Sequence, residues 1–145
     1  MTSLVVGIGA PTSGDDAVGI EVAKAVNGMG LAGVDVVESA EPIQLVDLIG
    51  DHPCVVIVDG MLSGAMPGEV AVFDGLPAPD FGPSSTHSLG VGQALELARV
   101  LGRLPRDLFL VGVEVGRTGM GAGLTAAVQA AIPHAAGEVR RLVSE

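Results

Sequence analysis

The sequence predicts a single α/β domain built on a parallel sheet, and three observations predict it. The apolar run Leu4–Ile8 opens through Gly9-Ala10-Pro11-Thr12-Ser13-Gly14 into a helical pattern beginning near Ala17. A strand that leads through a glycine loop into a helix is the start of a βαβ unit. Two later runs, Cys54–Val58 and Leu108–Val113, are apolar at successive positions, as strands covered on both faces are. Finally, the chain is 48% hydrophobic yet has no Trp or Tyr and three Phe, so its core is Val, Leu, Ile and Ala. Such a core suits helices packed closely on a parallel sheet. A length of 145 residues is the usual size of one domain, so residues 1–145 are read as one.

Composition also excludes partners. The formal charge of -10 repels phosphate backbones and anionic lipid surfaces, so neither nucleic acid nor membrane is expected. Cys54 is the sole cysteine, so no internal disulfide can form. The start Met1-Thr2-Ser3 has no basic region before the apolar run and does not read as a signal peptide. No segment reaches the length of an uncharged membrane span. A cytoplasmic location is the expectation.

The elements follow in order. Strand one, Leu4–Gly9, is apolar on both faces and therefore central. Gly7 and Gly9 suggest a dinucleotide fingerprint, but Thr12 stands where its third glycine belongs, and no Lys follows Gly14 to make a phosphate loop. Helix one runs from Asp16 to about Val26, with Ala17, Val18, Ile20, Val22, Ala23, Ala25 and Val26 toward the sheet. Asp15 serves as its cap, and two adjacent acids cannot both cap, so Asp16 asks for another role. Strand two is Val34–Val37, followed by a loop Glu38-Ser39-Ala40-Glu41. Pro42 fits the first turn of helix two, which runs to about Ile49. His52 reads as a solvent-facing turn residue and Cys54 as a core residue at the far end of strand three. The short alternating segment Glu69–Phe73 reads as an edge strand, and 74–85 as a proline-rich surface loop. His87 opens a helix that continues to Leu101, where the helix dipole favours a neutral imidazole. Strand 108–113 ends at Glu114, and a helix over 124–143 carries Pro133, predicting a kink or restart near Ala131. His134 reads as a surface residue of that helix.

Ligands of open α/β sheets bind beyond the C-terminal ends of the strands. Asp16, Asp59 and His87 each follow a strand or open a helix at that edge, on three separate junctions. Two carboxylates and an imidazole suit a borderline divalent metal such as Ni, Zn or Fe, with a position left open. Glu38 and Glu114 end neighbouring strands and are candidates for groups supporting the ligands or touching substrate. There is no His-Glu-x-x-His helix and no Gly-x-Ser-x-Gly elbow, so a serine hydrolase is not supported, although Ser88 follows His87.

Taken together and in order, a set of short motifs resembles the hydrogenase maturation proteases, endopeptidases that trim the large subunit of nickel-iron hydrogenases. They are Gly7-Ile8-Gly9-Ala10, Gly14-Asp15-Asp16-Ala17-Val18-Gly19, Ile57-Val58-Asp59-Gly60 and Pro67-Gly68-Glu69-Val70. Ser85-Thr86-His87-Ser88-Leu89-Gly90, Gly102-Arg103-Leu104-Pro105, Gly112-Val113-Glu114 and Gly123-Leu124-Thr125 complete the series over essentially the full length. The resemblance implies a three-layer α/β/α sandwich around a twisted, mostly parallel five-stranded sheet. We expect strand order 2-1-3, strand 108–113 beside strand three, and 69–73 antiparallel at the edge. The family's metal-contacting positions fall on Asp16, Asp59 and His87, which are also the catalytic candidates. Glu38, Glu41 and Glu114 are assigned to substrate recognition or to supporting those ligands.

The implied reaction removes a C-terminal extension from the large subunit after nickel insertion. The Ni2+ arrives with the substrate, and Zn2+ or Cd2+ can take its place in vitro. The implied partner is the nickel-loaded precursor, and a monomer is expected. The nucleophilic water is activated either by the metal or by a carboxylate beside it; both routes stay open. Two other readings are a nickel-dependent checkpoint that binds the large subunit without cutting it, and an unrelated α/β hydrolase or phosphorylase-like enzyme. One departure bears on substrate choice. The family usually places Gly-Gly-Thr or Gly-Gly-Ser after the acid that follows strand two, where this chain has Glu38-Ser39-Ala40-Glu41.

Overall fold

The computed structural model describes residues 2–9, 17–76, 88–116 and 124–144. Five strands form one sheet: β1 (Ser3–Ile8), β2 (Val34–Ala40), β3 (Cys54–Met61), β4 (Val70–Asp74) and β5 (Asp107–Glu114). Their order is β2-β1-β3-β5-β4, with β4 antiparallel to β5 and every other pair parallel. This is the expected arrangement, including the antiparallel edge.

Alternation along the strands divides the core into two layers. Leu4, Val6 and Ile8 of β1, Val55 and Ile57 of β3, and Leu108 and Leu110 of β5 share one face. There they meet α2 (Leu45–Leu48, flanked by 3-10 turns at Pro42–Gln44 and Ile49–Asp51) and α3 (Ser88–Val100). Val5, Val56, Val58, Val111 and Val113 point the other way, onto α1 (Val18–Gly28) and α4 (Ala126–Ser144). The three-layer α/β/α sandwich is thus a consequence of apolar residues at both parities of the central strands.

Two glycines draw α1 onto the sheet. A Cβ at Gly7 would lie 2.5 Å from the Gly19 carbonyl oxygen, and one at Gly19 would lie 2.5 Å from the Val58 carbonyl oxygen. The first turn of α1 therefore rests on the C-terminal ends of β1 and β3. Gly90 does the same for α3, where a Cβ would meet the Pro42 ring at 2.8 Å from Cγ. Pro42 lies just past the C-terminal end of β2, so α3 also begins at that edge.

Several boundaries differ from expectation. β2 runs on through Glu38 and Ser39 to Ala40, which pairs with Ile8 after a register shift, so most of the expected loop is strand. Glu41 is instead the cap residue before Pro42, with its N–H donated to Gln44 Oε1 at 2.6 Å. α4 continues through Pro133 as one helix, with no restart. Cys54 is half-buried rather than fully in the core. His52 is not solvent-facing: its side chain is 17% exposed, with Nε2 3.4 Å from Asp35 Oδ2. β2 and β3 both flank β1, so the turn before β3 falls beside the start of β2. Among the described residues, no helix is long and apolar enough to cross a membrane.

Candidate active site

Among the described residues, Asp59 is, with Glu114, one of two buried carboxyls at the C-terminal edge of the sheet. It stands in the last turnout of β3 between Ile57 and Met61, which belong to the α2/α3 face, so alternation directs its side chain to that face. It is 5% exposed, and its Oδ1 accepts the N–H of Gly60 at 2.8 Å. Beside it on β5 is Gly112, which offers no side chain to crowd it.

Of the helices that start at this edge, α1 lies next to Asp59 and α3 past the end of β2, two strands away. Gly19, in the first turn of α1, packs on Val58, the residue before it. α3 begins at Ser88 in the layer that Asp59 faces. Asp16 and His87, two residues and one residue before these helices in the sequence, lie outside the described residues, as do Asp15 and most of the 74–85 loop. Among the described residues, no three His, Cys, Asp or Glu side chains gather as a metal site. That finding concerns only Asp59 of the three candidate ligands.

The three glutamates part company. Glu114, 2% exposed, ends β5 one strand over from Asp59 and shares its face by the same alternation. Its oxygens accept the N–H of Ser63 at 3.2 and 2.9 Å and the Oγ–H at 2.6 Å. Glu38 is half-buried and turns toward α1, where its Oε2 accepts Asn27 Nδ2–H at 3.0 Å. Glu41 is exposed at the start of the turn leading into α2. The structure therefore brings Asp59 and Glu114 to one edge and one face, while Glu38 is engaged on the other.

Sequence reasoning missed the Ser63–Glu114 pair. The signal available was weak: a serine just past a strand end, 51 residues from its partner. Cys54 is at the opposite end of β3. Burial pushes its thiol up, more than the Ser3 hydrogen bond offsets, so it is not an activated nucleophile. His134 is exposed on α4, 3.8 Å from Glu138.

The arrangement is a sheet edge with two buried carboxyls, Asp59 and Glu114, and the first turn of α1 packed beside Asp59. Such an edge suits a cation held by anionic ligands, or a polar group of a bound chain.

A family model described as hydrogenase maturation protease matches residues 20–142. A search of curated protein sequences finds no relative. Among solved structures, the hydrogenase maturating endopeptidase HybD from E. coli is similar at 26% identity and a TM-score of 0.83, over 96% of this chain and 90% of that one. An endopeptidase from Escherichia coli solved in solution is similar at 27% identity and a TM-score of 0.87, with the same coverage. The [NiFe] hydrogenase maturation protease HybD from Thermococcus kodakarensis shares the fold at 23% identity and a TM-score of 0.77, over 99% of both chains.

Proposed function

The chain belongs to the hydrogenase maturation protease family, and from that premise we propose that it is the endopeptidase that removes the C-terminal extension of a [NiFe] hydrogenase large subunit after nickel insertion. The observation that carries this reading is the buried Asp59 at the C-terminal sheet edge, beside the first turn of α1 and facing the layer of α3. Asp16, Asp59 and His87 are proposed as the groups that take hold of the nickel already seated in the substrate. Two carboxylates and a neutral imidazole fit a borderline divalent ion. With that charge between them, both carboxylates stay ionised; without it, like charges at one edge favour protonation of one. The C-terminal tail would be fixed across the edge, and a water attacks the scissile carbonyl, its proton taken by a carboxylate or its acidity raised by the substrate's metal; the C–N bond then breaks and the water's proton passes to the departing amine. Work in the cytoplasm and as a monomer is part of the same proposal.

The test mixes the purified protein with its large-subunit precursor, prepared with and without nickel, and reads the mass of the large subunit. Cleavage of the nickel-loaded form alone, lost in Asp16→Ala and His87→Ala, is expected. Equal cleavage of both forms overturns the nickel requirement. Binding without cleavage of either form moves the assignment to a checkpoint protein.

A further inference from the structure

β3 and β4 lie on either side of β5, so the chain between them must cross the C-terminal end of β5. Glu114, the last residue of β5, holds that crossing at both ends. Its side chain takes both the N–H and the hydroxyl of Ser63, with oxygen contacts of 3.2, 2.9 and 2.6 Å. Its backbone carbonyl accepts Gly68 N–H at 2.8 Å, and its N–H donates to the Glu69 carbonyl at 2.8 Å. Gly64 and Gly68, at φ +91° and +93°, supply the left-handed turns the crossing needs.

Burying a carboxyl is unfavourable unless hydrogen bonds replace its water. Here those bonds go to a segment that covers no core. Its large apolar side chains point outward instead: Met66 is 72% exposed and Leu62 37%. The segment starts directly after Met61, two residues beyond Asp59, and so it borders the candidate site. Binding residues are concentrated on loops that a rigid scaffold holds in place. Apolar side chains displayed beside a site suit a folded protein surface better than a charged or small ligand.

We propose that residues 62–68 form a docking loop for the large-subunit precursor, with Leu62 and Met66 as its apolar contacts and Glu114 as the positioning residue that fixes its shape. The proposal rests on the protease reading above. Glu114 itself is too deeply buried to touch a partner. It acts through Ser63.

The experiment compares steady-state cleavage of the nickel-loaded precursor by the wild type and by Met66→Ser, Ser63→Ala, Ser63→Thr and Glu114→Gln. Met66→Ser removes an exposed side chain and leaves the fold intact. It should raise KM about tenfold with kcat within about twofold, as loss of one buried apolar contact in a complex predicts. Ser63→Ala and Glu114→Gln should shift KM in the same direction, and Ser63→Thr, which keeps the hydroxyl, should restore it. A Met66→Ser enzyme with wild-type KM and wild-type affinity for the precursor overturns the docking loop while leaving the protease reading intact. If the wild type does not cleave, that reading falls, and the affinity of immobilised precursor for the two proteins decides the loop. About tenfold weaker binding by Met66→Ser supports it, whereas equal binding, or none by either protein, overturns it.

Discussion

A Cβ at Gly19 would overlap the carbonyl oxygen of Ile8 and lie 2.5 Å from that of Val58. Both neighbours are backbone in central strands, so neither can swing aside as a flexible side chain would. Gly19→Ala must therefore lift the first turn of α1 off the sheet, at a cost of about 3 kcal/mol. For a chain of this length that is a fall in melting temperature of about 10 °C. Gly92, in α3, is the control, because a Cβ there meets nothing within 4 Å. Gly92→Ala should raise stability by about 1 kcal/mol through helix propensity alone. Calorimetry of the two variants checks the pair, and equal effects would show that the close approach at Gly19 does not constrain the fold. The same residue explains why position 7 is a glycine. Gly7 is small because Gly19 and Ala23 press against it, with the Ala23 Cβ 2.8 Å from where its own Cβ would be.

At the scale of elements, α4 shows tertiary packing overriding local preference. Pro133 lies inside a helix that continues for eleven residues beyond it, and its ring is exposed. A proline there removes the N–H that would serve the Gln129 carbonyl and crowds that turn. The helix persists because Val128, Ala131, Ala135, Ala136, Val139 and Leu142 are all buried against the sheet and α1. Pro133→Ala should therefore stabilise the protein by about 2 kcal/mol, after allowing for the extra freedom of the unfolded chain. The check is a melting temperature higher by about 6 °C; an unchanged or lower value would mean that the proline's geometry is itself needed for the packing. The central strands were legible because runs such as Val55–Val58 leave no polar residue to place in water. The end of β2 was not. It pairs on one side only, with β1, so Glu38 and Ser39 can sit in a strand and still look like a loop. Pro133 misled for the converse reason: the penalty is local and visible, while the burial that outweighs it is spread over four turns.

At the scale of the whole molecule, strand order decides which side chains meet. The position of Asp59 was legible because it ends an apolar run, and in a parallel sheet that places it at the C-terminal edge. The Ser63 clamp was not, because it exists only once β5 is inserted between β3 and β4. The same topology separates folding from chemistry at Asp59. Asp59→Asn keeps the size of the side chain and an oxygen that can accept the Gly60 N–H, the bond at 2.8 Å. Its melting temperature should stay within about 3 °C of the wild type, equivalent to about 1 kcal/mol. What the variant loses is an anionic oxygen, the group proposed to meet a cation on the substrate. Cleavage of the nickel-loaded precursor should then fall on the order of 100-fold or more, the loss of about 3 kcal/mol from the transition state. Titration with Zn2+ or Cd2+ should show the same loss without any turnover. A variant that melts far below the wild type would make Asp59 a structural residue. One that melts normally and cleaves at the wild-type rate would remove it from the proposed site, because a metal ligand cannot give up its charge without consequence.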